Sequence, residues 1–92
     1  MRATITTGNG KTVEIEKATW AEQPGSRMSR PLATIEVDLA TASSLFNYGS
    51  LVLRMADGRE AQVFMQNFVP PAGDAKITCT LVCEKIIRAK PL

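Results

Sequence analysis

Few residues of this chain could do chemistry. Cys79 and Cys83, in "KITCTLVCEKI", could ligate a metal or form a disulfide, and Lys11, in "GNGKT", could grip a phosphate. Ser43 and Ser44 could be nucleophiles beside a base, and Glu36 and Asp38 could share acid and base roles. Each of these functions demands a spacing or a neighbour. The chain contains no histidine, which removes the Ser-His-Asp triad, the Cys-His pair, histidine metal ligation and the usual near-neutral general base.

A phosphate-binding P-loop needs glycine where Ile5 stands and a helix after its lysine, whereas "VEIEKA" after Thr12 alternates as a strand. A tight turn accounts for the two glycines and Asn9, which leaves Lys11 a solvated turn residue. On a strand rising about 3.3 Å per residue, Cys79 and Cys83 stand roughly 13 Å apart, beyond the reach of about 7 Å between Cα atoms that a disulfide requires. The same separation prevents them from chelating one ion, so they read as two packed core thiols. Glu36 and Asp38 lie on the polar face of an alternating segment, as on any solvated strand. Capping or plain exposure is the simpler role for the two serines. No catalytic residue, cofactor or metal is expected.

The elements that would position a site are strands. "RATITT" and "TVEIEKA" flank "GNGK", so residues 2–18 read as a hairpin whose glycines and Asn9 supply positive φ angles. "LATIEVDL" puts Ala33, Ile35, Val37 and Leu39 on one face and Thr34, Glu36 and Asp38 on the other. "LVLRMADGREAQVFM" holds two strands around Asp57-Gly58, a dipeptide favoured by type I′ turns; Leu51, Leu53, Met55, Ala61, Val63 and Met65 face inward. The last strand, residues 75–86, turns Ile77, Cys79, Leu81 and Cys83 inward. Between the third and fourth strands the alternation stops at "DLATASSLFNYGS", where Asp38 or Thr41 could cap a helical turn that brings Leu45 and Phe46 together, with Gly49 as terminator. Six strands with short connections predict an all-β fold with one short helix, either a small antiparallel sandwich or an open barrel.

Ninety-two residues suit one domain spanning 1–92, with 88–92 as a frayed tail. The charge of +2 is spread over 11 basic and 9 acidic residues, so no polyelectrolyte tail announces nucleic acid. No signal peptide and no run of about 20 apolar residues is visible. With two unpaired thiols this predicts a cytoplasmic protein without a membrane partner.

Surfaces then carry the functional expectation. Val52, Phe64 and Val82 fall where alternation assigns solvent; they could form a second core face, lie under a loop, or meet a partner. The connector at residues 21–31 offers Arg27 and Arg30, whose planar forks suit carboxylates and phosphates, beside the adaptable Met28. A second connector, residues 66–74, sets Phe68 and Val69 before two prolines, and would join Phe46 and Tyr48 in an apolar patch if both lie at one end. The leading expectation is a non-enzymatic protein-binding module, a structural or adaptor subunit or a small inhibitor of the kind phages encode, using Arg27, Met28, Arg30, Phe64, Phe68 and Val69. A nucleic-acid-binding OB-like or SH3-like barrel, with Arg27, Arg30, Arg54, Arg59 and Lys76 gripping phosphates, is the alternative from another class. Homo-oligomerisation through edge strands is the third.

Overall fold

The computed structural model describes residues 1–21, 32–67, 76–88 and 90–91, with Asn67 as backbone only. Among these residues, seven strands form one antiparallel sheet: β1 (Ala3–Thr6), β2 (Thr12–Ile15), β3 (Ala18–Ala21), β4 (Leu32–Val37), β5 (Ser50–Met55), β6 (Glu60–Asn67) and β7 (Ile77–Arg88). Their spatial order is β2-β1-β5-β6-β7-β4-β3. A single helix, α1 (Leu39–Tyr48), separates β4 from β5. The sheet curls into a half-barrel, so of the two expected architectures the open barrel is found.

The seventh strand comes from the segment after the first turn. Ile15 and Ala18 are both buried although an odd number of positions apart, so the alternation changes phase at the bend of Glu16 and Lys17. That bend carries the chain from one edge of the sheet to the other. The edges are drawn together there: the Met1 carbonyl accepts from the Ala18 N–H at 2.7 Å and the Met1 ammonium donates to the Ala18 carbonyl at 3.2 Å, while the Glu36 N–H donates to the Lys17 carbonyl at 3.1 Å and extends the β3–β4 ladder by one pair.

The core lies on the inner face, where Ile5, Ile35, Leu51, Leu53, Val63 and Leu81 are almost wholly removed from water. Helix α1 closes one end by burying Ala42 and Leu45 against that face. Its ten residues exceed the single turn expected, because Asp38 caps it through the Thr41 N–H at 2.8 Å and nothing breaks it before Gly49, at φ 75°. The Asp38 carboxyl is held below its ordinary range by its hydrogen bonds to the Thr41 side chain and backbone. Two expectations fail here. Leu39 belongs to the helix and is 50 % exposed rather than inward on a strand, and Phe46 points away from buried Leu45 and is 49 % exposed.

The two tight hairpins, "TGNGK" and "MADGR", share one geometry. The Thr7 carbonyl accepts from the Gly10 N–H at 3.0 Å and the Thr7 N–H donates to the Lys11 carbonyl at 2.8 Å; Met55, Gly58 and Arg59 repeat this at 3.0 and 2.7 Å. Asn9 and Asp57 each accept, through Oδ1, the backbone N–H two residues on, at 3.2 and 3.1 Å. Only Gly10 (φ 86°) and Gly58 (φ 101°) have positive φ in these turns. These are therefore type I turns completed by a glycine bulge, not the type I′ turn expected at Asp57-Gly58, and neither Asn9 nor Gly8 supplies a positive φ.

Gly10→Ala is accordingly expected to lower stability by about 1–2 kcal/mol through backbone strain alone, since a Cβ there meets nothing within 4 Å. Gly8→Ala should stay within about 0.5 kcal/mol of the parent. Urea denaturation of the two variants checks the contrast.

Candidate partner-binding surface

The strand register groups most of the outer residues into rows. Nearest the Asp57-Gly58 turn runs a charged row, Glu14–Thr4–Arg54–Glu60–Arg88, one residue from each of β2, β1, β5, β6 and β7. The next is mostly polar: Thr12–Thr6–Val52–Gln62–Lys85. The third is apolar at its centre, Ser50–Phe64–Val82–Leu32–Ala21, with Phe64 directly opposite Val82 and Val82 directly opposite Leu32. Above it Thr80, Thr34 and Thr19 form a hydroxyl row, in which the last two are hydrogen-bonded to each other.

Phe64, Val82 and Leu32 thus make a continuous apolar strip across three neighbouring strands, with Val52 diagonal to Phe64 and within reach of its ring. All four are half-buried and none belongs to the core cluster on the other face. Among the described residues, one sheet and one helix account for all regular structure, and the helix packs on the core side. Polar bonds frame the strip: Gln62 Nε2 donates to Ser50 Oγ at 2.6 Å and to Glu84 Oε2 at 3.4 Å, and Arg54 Nε pairs with Glu60 Oε1 at 3.0 Å. Leu32 is the residue that sequence reasoning missed, although its place before inward Ala33 already put it outside.

Of the expected partner-binding residues, Phe64 stands at the centre of the strip. Arg27, Met28, Arg30, Phe68 and Val69 lie outside the described residues. Tyr48 and Phe46 sit on α1, at the same end of the sheet as Asn67 and Ile77, and the Tyr48 hydroxyl accepts from Asn9 Nδ2 at 3.1 Å.

The described members of the proposed basic groove do not converge. Arg54 is on the outer face, paired with Glu60. Arg59 turns over the inward Trp20 ring, 5.4 Å from its centroid, and its Nε bonds Asp57 Oδ2 at 2.9 Å. Lys76 stands at the opposite end of the sheet, where it lines a small cleft with Glu16, Lys17 and Glu36. The Trp20–Arg59 stack closes the end of the half-barrel away from α1, and the Trp20 Nε1–H is buried without an acceptor among the described residues.

Cys79 and Cys83 are buried free thiols on the inner face, and burial pushes both pKa values up. No group of three or more cysteine, aspartate and glutamate side chains among the described residues could hold a metal ion. No helix among them is long and apolar enough to cross a membrane.

Fold and surface together define a small all-β half-barrel with one helix and an apolar strip on its outer face. Comparison with known proteins finds no match to any family model, curated protein or solved structure.

The two thiols should resist alkylation by iodoacetamide at pH 8 in the native protein and react completely in denaturant. Rapid native labelling of either one would place it outside the core.

Proposed function

We propose that this chain is a non-enzymatic protein-binding module that meets its partner with the outer face of β5, β6, β7 and β4. The observation that carries this reading is the Phe64–Val82–Leu32 strip. Three large apolar side chains stand side by side on the face opposite the core, framed by hydroxyl and charged rows. An apolar centre with a polar rim is the usual anatomy of a protein interface. An aromatic side chain at that centre is the expected energetic anchor.

The two competing expectations gain less. A nucleic-acid groove needs basic groups along one track, and Arg54, Arg59 and Lys76 point to different regions, two of them in ion pairs. Growth through sheet edges is opposed by the edges themselves. β2 and β3 have four residues each. The part of β7 that runs past β4 pairs irregularly with β6, with register shifts between Glu60 and Ala61 and between Gln62 and Val63. Short edge strands and bulges are common devices against edge-to-edge pairing.

Phe64→Asp and Val82→Asp, each confirmed folded by circular dichroism, are expected to lose a nuclease-resistant protein that the parent captures from a host lysate; a loss of at least about 2 kcal/mol of binding corresponds to a hot-spot side chain. Arg54→Ala, at the rim, should retain most of it. Equal capture by the parent and both aspartate variants would remove the strip from the mechanism, and material released by nuclease would favour the phosphate-gripping alternative.

A further inference from the structure

The outer face is also complementary to itself. This inference rests on the reading of the strip as a binding surface and names its occupant: we infer that the strip is covered by a second copy of this chain, in a twofold dimer whose axis runs parallel to the strands between β6 and β7.

Curvature limits where two copies can meet. The core occupies the inside of the curl, so the outer face is convex and two such faces can touch only along their crests. β6 is the fourth of the seven strands in spatial order and β7 its neighbour, which places the crest on this pair. They are also the two longest strands, at 8 and 12 residues.

A twofold axis between these strands sets β6 of each copy opposite β7 of the other. Phe64 then faces Val82 of the second copy, and Val82 faces its Phe64, because the two residues share one row. The same operation places Glu60 opposite Arg88 of the second copy, again twice, because they too share a row. Gln62 likewise meets Lys85. One operation thus brings apolar onto apolar and acid onto base, as an isologous interface requires.

The charges are available for this use. The described residues form three ion pairs, Lys17–Glu36, Arg54–Glu60 and Arg59–Asp57, and Arg88 takes part in none. Glu60 pairs through one oxygen, Oε1, which leaves the other for a second arginine.

Size sets the strength. The two crest strands, about 4.8 Å apart, and a contact length of about eight residues at 3.3 Å give a backbone footprint of roughly 250 Å² per copy, to which flanking side chains add. This is below the size of standard specific interfaces, so the dimer is weak and concentration-dependent rather than obligate.

Sedimentation velocity of the full chain over a wide concentration range tests the inference. The parent is expected to pass from monomer to dimer, with no larger species. Phe64→Asp should be monomeric throughout, and Arg88→Glu should move the midpoint to at least about tenfold higher concentration by setting a second carboxylate against Glu60. Glu60→Arg alone should also dissociate the dimer, and an equimolar mixture of Glu60→Arg with Arg88→Glu should restore it as a heterodimer. A parent that stays monomeric at every accessible concentration, or a mixture that fails to associate while the parent dimerises, overturns the twofold arrangement. If the monomeric parent still captures another protein in a Phe64-dependent way, the binding surface stands and its occupant is a different protein. If neither occurs, both readings fall.

Discussion

Among the described residues a single sheet has to bury one face without a second sheet to lie on it, and the rest of this structure follows from that constraint. The inner face carries the side chains of Ile5, Ile35, Leu51, Leu53, Val63 and Leu81, each worth roughly 1.5–3 kcal/mol when taken out of water. Curling the sheet turns those residues toward one another, but it leaves two open ends and a seam. Helix α1 fills one end with Ala42 and Leu45. Trp20, held by the stacked Arg59, fills the other. At the seam the two Met1–Ala18 backbone bonds draw the start of β1 against β3. Closing the inner face in this way turns the outer one toward solvent or a partner, and this is where Phe64, Val82 and Leu32 stand.

Much of the fold was legible because the strands obey a period of two. The inward sets of β4 to β7 were readable residue by residue up to Leu39, and the two thiols fell on the core face as their spacing required. The failures have local physical causes. The phase change between Ile15 and Ala18 marks a break in a run that composition alone makes continuous, so two strands read as one. Leu39 continues the alternation of β4 on paper, but the cap made by Asp38 diverts the chain into a helix one residue earlier. The turn type at Asp57-Gly58 was missed because a type I turn with a glycine bulge and a type I′ turn both accept the same dipeptide.

The candidate surface was half legible. That Phe64, Val82 and Val52 point outward follows from alternation, but that Phe64 and Val82 are neighbours does not. They are eighteen positions apart, and the β6–β7 register that pairs them contains three irregularities. Leu32 joins them only because β7 lies between β6 and β4 in the sheet, an order that sequence does not give. The charged row was less visible still, since it draws one residue from each of five strands. Its scatter along the chain explains why composition looked neutral on the question of partners.

A partner can reach the outer strip only if it is a solvent-facing surface of the folded chain, distinct from its core. The direct measurement is paramagnetic relaxation of methyl protons by a soluble gadolinium chelate, at a concentration low enough to keep the chain monomeric. Strong enhancement at the methyls of Val52, Val82 and Leu32, with Leu53, Val63 and Leu81 protected, is the predicted result. Protection of the strip equal to that of the core methyls would rule out a binding surface here, because the chain would then cover this face itself.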